Sequence, residues 1–250
     1  MLITEQVLRN LCPYAKPDLL RDVVKYFNEL APQFGVDTKL RICHFFAQAS
    51  VETDWFKTLQ EYASGREYEG RLDLGNTQQG DGVKYKGRGI FQTTGRANYT
   101  ATGKKMNMDL VNKPELLLDP RNAVWSALIY WQSRNMNAIA DRDDIDAASR
   151  AVNGGYNGYS ERCRALALLK STIDGGVFIG AGSPKPDVEH VQLLLKLLGY
   201  KVGMIDGLYG PATAAAIRTF QSDVGLTQTG TVDKMTLDLL EKKTNENKKE

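Results

Sequence analysis

The stretch AQASVETDWFKTLQEYASG, residues 47–65, decides how the chain is read. It begins inside an apolar run with helical spacing, in which Ile42, Phe45, Ala49 and Glu52 recur at intervals of three and four. Glu52 therefore continues an apolar stripe. A carboxyl group in that position is expected to be partly desolvated, which favours its neutral form and suits it to donate a proton. The alternative is a solvated residue at a helix end. Glu61 follows, and alone it reads equally well as a surface acid. On one unbroken helix the two carboxyl groups would be separated by about 13 Å of rise and about half a turn, pointing apart. A partnership demands that the helix stop near Thr53–Asp54, residues that favour helix ends, and that the chain swing Glu61 back. No Gly or Pro between 52 and 61 forces such a break.

The wider chain supplies a frame for this segment. Its 250 residues suffice for one medium and one small domain. A net charge of +2 gives no support to nucleic-acid binding. Cys12, Cys43 and Cys163 are widely spaced and odd in number, which argues against a disulfide framework and for reduced thiols. Two histidines, His44 and His190, make a His-based metal site unlikely, and no metal or cofactor is expected. Glu5 and Arg9 interrupt the first apolar stretch, so no signal peptide is read there, and no run is long enough to span a membrane.

Helical periodicity is expected over 18–30, with Asp18 as a cap, and over 38–52, 121–134, 143–152 and 160–173. Trp125 and Trp131 lie at helical spacing and read as core. The Gly- and Asn-rich segment 62–100 reads as a functional loop or a set of short hairpins. The domain boundaries read as 1–174, a linker over 175–186, a small domain over 187–242 and a charged tail over 243–250, which reads as a frayed helix end or a disordered stretch. In the small domain, DGLYGPAT (206–213) echoes TGTVDKMT (229–236), with Gly207 to Thr213 and Gly230 to Thr236 equally spaced. Each echo opens a helix, Pro211 at a first position and Asp233 as an N-cap. Leu193, Leu194, Leu197, Leu198, Ile217 and Phe220 read as its core.

Three blocks then carry a resemblance: EYASGREYEGRLDLGNTQQGDG, YKGRGIFQTTGRANY (85–99) and VNGGYNGYSER (152–162). Together they resemble glycoside hydrolase family 19, and within it the chitinase-like endolysins of bacteriophages. A lone KGRG would be only a basic turn. The resemblance implies a mainly α, two-lobed, lysozyme-like catalytic domain. It implies Glu52 as general acid and Glu61 as the base that activates water in an inverting displacement. That chemistry needs carboxyl groups about 6.5–9.5 Å apart. It further implies substrate contacts from Gln92, Thr94, Asn98 and Asn153, and an Arg162 cation beside Glu61. Thr94 and Asn98 have an alternative as helix caps, and Arg162 as a surface residue. Val51, Thr53, Asp54 and Trp55 depart from the family's usual His before the acid and Gly-Gly after it.

Residues 187–241 resemble the peptidoglycan-binding domain of wall hydrolases, a small three-helix module. The combined expectation is a bacteriolytic endolysin that cuts β-1,4 bonds of peptidoglycan, of muramidase type, causing host lysis. It would be a monomer with peptidoglycan as its partner, made in the bacterial cytoplasm and acting on the wall after membrane permeabilisation. A bacterial chitinase or autolysin, or a non-catalytic wall-binding protein, are the rival readings.

Overall fold

The computed structural model describes residues 3–247. By contacts the chain forms two compact units, Met1–Glu5 with Tyr14–Arg162, and Gln6–Pro13 with Cys163–Glu250. The described residues are mainly helical. In chain order they form α1 (Glu5–Leu11), α2 (Pro17–Leu30), α3 (Lys39–Glu52), α4 (Asp81–Lys84), α5 (Arg96–Met106), α6 (Pro120–Ser133), α7 (Met136–Asp141), α8 (Ile145–Asn153) and α9 (Tyr159–Thr172). Then follow β1 (Phe178–Ile179), α10 (Lys185–Leu197), α11 (Pro211–Asp223), β2 (Val232–Asp233) and α12 (Lys234–Asn247). No helix among the described residues is long and apolar enough to cross a membrane.

In the first unit α3 is central. Every residue from Ile42 to Ser50 is buried, so the helix is enclosed on all sides and is more than a striped surface helix. Thr38 caps its start by accepting the N–H of Arg41. Phe27 of α2 meets Phe45 and Phe46 of α3 at ring distances of 4.8 and 4.6 Å. Trp131 of α6 and Phe91 extend this cluster at 5.3 and 5.4 Å from Phe45. Such tilted aromatic contacts add directional preference to area burial, which fixes α3 axially as well as sideways. Trp131 is fully buried, whereas Trp125 only flanks a second cluster built on Tyr85, Tyr99, Met106, Leu110, Leu117 and Ile129.

Several boundaries differ from the sequence expectations. Pro17 occupies the first turn of α2, and Lys16 stands at its N-cap without a side-chain bond, so Asp18 lies inside the helix and does not cap it. The 62–100 segment contains no hairpin strands. It is built from single turns at Arg66–Tyr68 and Leu72–Leu74, from α4, and from isolated bridges of Arg88 to Gln60 and Thr93. Asn76 ties this segment together, donating to the Tyr68 carbonyl and accepting the Arg96 N–H, both at 2.8 Å.

In the second unit, the 175–186 stretch is not wholly a linker. Phe178–Ile179 pairs antiparallel with Val232–Asp233, and Ile179 joins the core of α10–α12. The contact division also falls after Arg162, ahead of the expected boundary at 174. Residues 243–247 continue α12 with Thr244 buried, the helix-end alternative of the two expected for the tail; 248–250 lie outside the described residues. Leu194, Ile217 and Phe220 are core as expected, but Leu193 and Leu197 are 44% and 51% exposed. The inward face of α10 runs through Val188, Val191, Leu194, Leu195 and Leu198, and positions 193 and 197 fall one step round from it.

The internal echo has a structural cause. Gln192 and Gln221 are both buried. The Gln192 side-chain Oε1 accepts the Gly207 N–H at 2.9 Å, and its Nε2 donates to the Thr213 hydroxyl at 3.1 Å. Gln221 repeats both bonds with Gly230 at 3.0 Å and Thr236 at 3.3 Å. Gly207 and Gly230 share a left-handed backbone, φ 69° and 74°. Replacing Gln192 or Gln221 with Ala strands buried partners, and each change is expected to cost about 2–3 kcal/mol in urea unfolding of this unit. A cost below about 0.5 kcal/mol for either would contradict that role.

Candidate active site

The helix carrying Glu52 ends on that residue, and the cause is local. Thr53 is buried; its hydroxyl donates back to the Ala49 carbonyl at 2.7 Å and accepts the Phe56 N–H at 3.0 Å. Asp54, Trp55 and Phe56 then take left-handed conformations with φ of 47°, 59° and 59°. Non-glycine residues pay roughly 1–2 kcal/mol each for this handedness. The strain is held by the burial of Phe56, by Trp55 N–H to the Ser50 carbonyl at 2.6 Å, and by Lys16 N–H to the Phe56 carbonyl at 3.2 Å. The chain thus reverses hand directly after Thr53, one residue past Glu52.

Glu61 emerges from this turn onto the 85–94 loop. Its backbone N–H donates to the Gly87 carbonyl at 3.1 Å, and its Oε1 accepts the Gly87 N–H at 2.7 Å. Tyr68 donates its hydroxyl to Oε2 at 2.9 Å. Burial, reinforced by this bond to Glu61, pushes the Tyr68 phenol up to about 12, so it remains a donor at neutral pH. A methyl group on Gly87 would lie 2.6 Å from Gln92 Oε1, 3.2 Å from Thr94 Oγ1 and 3.3 Å from the Glu61 carboxyl carbon. Glu61, Gln92 and Thr94 therefore crowd one glycine. The basic residues of KGRG serve the scaffold: Lys86 reaches the Ala63 carbonyl at 3.1 Å, and Arg88 the Lys84 carbonyl at 2.9 Å.

Gln92 has a left-handed backbone, φ 45°, and its amide donates to the Gly89 carbonyl at 2.9 Å. Its Oε1 is buried with no protein partner, the signature of an acceptor held for a ligand or water. Thr94 donates to the Gln92 carbonyl at 3.0 Å, and the Asn98 amide donates to the Thr94 carbonyl at 2.7 Å. Neither caps α5, whose N-cap is Gly95. Gln92, Thr94 and Asn98 line one groove of about 350 Å³, together with Phe91, Tyr130 and Val152. Asn153, exposed at the end of α8, follows Val152 in sequence but is not itself part of that lining. Tyr130 donates its hydroxyl to the Ala151 carbonyl at 3.0 Å and so fastens α6 to the end of α8.

Arg162 corrects an expectation. Its guanidinium is paired with Glu52 at 2.6 Å and with Gln48 Oε1 at 2.6 Å; it does not sit beside Glu61. Its side chain is 1% exposed and that of Glu52 17%. The physical reason is that α9 delivers Arg162 against the last turn of α3, one turn beyond Gln48. Gly158 makes that approach possible, since a side chain there would meet Val51 at 2.9 Å. Val51, the departure from the family pattern, lies against Gly158 of the 152–162 block. Trp55 is half-buried and Phe56 fills the core. Sequence reasoning missed Tyr68 and Gly87, because neither lies at a periodic spacing from Glu61.

With this geometry in view, the comparisons are decisive for family. The Chitinase class I pattern of glycosyl hydrolase family 19 matches residues 24–191. The chain belongs to that family. A second pattern, a peptidoglycan binding domain, matches residues 184–240. Among curated relatives, a glycosyl hydrolase family 19 domain-containing protein of Haemophilus influenzae is 37% identical over 117 residues, covering 45% of this chain and 54% of the relative. An acidic endochitinase of Petunia hybrida is 33% identical over 159 residues, covering 60% of this chain and 59% of the relative. The chain thus spans little more than half the length of these family members. Chitinase C from Streptomyces griseus superposes with a TM-score of 0.55 at 22% identity, covering 67% of this chain and 92% of that one, which shows a shared fold.

Thr53→Val keeps the shape of the side chain but removes the acceptor for the Phe56 N–H. It is expected to cost about 1–3 kcal/mol of stability. Turnover should fall as the end of α3 loosens. Unfolding and activity measured on the same preparation check this, and full stability with full activity would show that the hydroxyl does not hold the turn.

Proposed function

We propose that the protein is a peptidoglycan hydrolase that cleaves β-1,4 bonds of the wall glycan, of muramidase type, by a single displacement with inversion. Glu52 protonates the glycosidic oxygen as the bond from that oxygen to the sugar's C1 breaks. Glu61 takes a proton from the water whose oxygen bonds C1 from the opposite face. Solvent exchange then restores both protonation states. The observation that carries this reading is the convergence of Glu61, Gln92 and Thr94 on Gly87, with Gln92 Oε1 buried and unpartnered. A carboxylate and an amide oxygen so placed accept the two protons of one water and aim its lone pair. The Arg162 pair fixes the orientation of Glu52 and stabilises the anion left after proton donation. Asn98 and Asn153 are assigned to the sugar hydroxyls.

The wall-binding pattern at 184–240 supports peptidoglycan as the substrate and a gain in local concentration on that polymer. The chitinase names of several relatives favour chitin as a second reading. We assign the protein to host lysis by a bacteriophage, stored in the bacterial cytoplasm as a monomer until the membrane is opened. Glu52→Gln and Glu61→Gln should each lower kcat by about 10²–10⁴-fold while leaving sedimentation with purified wall unchanged. Lysis of permeabilised cells by Glu52→Gln at the unsubstituted rate would contradict its role. Mass spectrometry of digested wall should find muramic acid at the new reducing ends; glucosamine there would contradict the muramidase assignment.

A further inference from the structure

Building on the wall-hydrolase reading, we propose that Lys105 and Arg134 recognise the carboxylates that distinguish wall glycan from chitin. The groove that holds Gln92 and Thr94 is walled by one face of α5, through Asn98, Thr102 and Lys105, and by one face of α6, through Tyr130 and Ser133 to Arg134. Its lining contains these two cations and no aspartate or glutamate. Both cations are exposed. Among the described residues neither has a carboxylate partner. Three arginines elsewhere in the same unit are neutralised: Arg41 by Asp141, Arg96 by Asp81, Arg162 by Glu52. Arg134 instead lies over the Tyr130 ring, 4.6 Å from its centre, which holds the guanidinium at the groove.

The substrate chemistry fits this arrangement. Chitin sugars are neutral along the whole strand. In the wall polymer every second sugar carries a lactyl ether, whose carboxyl group is either free or joined to a stem peptide bearing further carboxylates. Two unneutralised cations on opposite walls of a sugar groove suit such a strand and gain nothing from a neutral one. Lys105 lies about 10 Å along α5 from Asn98, two helical turns away. The charges therefore meet a neighbouring part of the strand and act on binding more than on bond cleavage. These are specificity residues, and their effect belongs in KM.

The test uses the full chain and soluble wall glycan in two forms. One carries stem peptides; the other is stripped by an amidase and carries only lactyl carboxylates. Each is assayed before and after its carboxylates are converted to neutral methylamides. The unsubstituted protein should show a KM about tenfold or more lower for the charged form than for the neutral form. The double variant Lys105→Gln, Arg134→Gln should bring that ratio near one, and Lys105→Arg should retain it. Discrimination on stripped glycan assigns the lactyl carboxylate as the recognised group; discrimination only on peptide-bearing glycan assigns the stem peptide. An unchanged ratio in the double variant overturns the proposal, as does an equal loss of kcat on charged and neutral glycan. If the unsubstituted protein cleaves neither wall form, it is the wall-hydrolase reading that fails.

Discussion

Three consecutive left-handed residues, Asp54–Phe56, are the constraint on which the site depends. Without them α3 would continue past Glu52, and Glu61 would be carried away on the far side of the same helix. The turn is unfavourable in isolation. It persists because Phe56 is driven into the core beside Phe46, and because the Thr53 hydroxyl meets the N–H that the reversal exposes. Packing energy from the aromatic cluster is thus converted into the position of a carboxyl group. The family's usual glycines after the acid would reach the same backbone at lower steric cost. Here bulky residues adopt it, and tertiary burial supplies what glycine would have given.

The rest of the site follows from that reversal. Glu61 is released onto the 85–94 loop and is fixed there by bonds to Gly87 and Tyr68. Gly87 is the meeting point of Glu61, Gln92 and Thr94, so the loop's shape and the position of the proposed base are one feature. Glu52 is fixed separately, by Arg162 arriving on α9. The two carboxyl groups therefore have different supports: a buried ion pair for one, backbone and phenol donors for the other. Under the proposed mechanism, that asymmetry stabilises Glu52 as the anion it would become and Glu61 as the anion from which it would start.

Much of the helical frame was legible from periodicity. The boundaries of α2, α3, α6, α8 and α9 lie within a residue or two of the expected spans, because each carries apolar residues at helical spacing. The echo around Gly207 and Gly230 was legible as spacing, and its cause, a buried glutamine under each turn, is a long-range bond that spacing does not encode. The end of α3 was legible only as a demand made by chemistry, since no local residue signals a left-handed turn. Arg162 was expected beside the wrong glutamate for a related reason: a motif names a residue, but helix packing chooses its partner. Leu193 and Leu197 misled because a run of leucines hides which positions face inward. Tyr68 had no sequence signal at all, because its placement depends on Asn76 and on the turn at Arg66–Tyr68.

The family assignment rests on sequence and fold; the proposed mechanism requires that Glu52 and Glu61 act in one reaction. Proton NMR of a soluble β-1,4-linked substrate during the first minutes of digestion reads this directly, before the new reducing end re-equilibrates. An acid and a base acting across a single water must produce the α anomer first. Initial appearance of the β anomer would mean retention through a covalent or substrate-assisted route, and would contradict the pairing of Glu52 with Glu61.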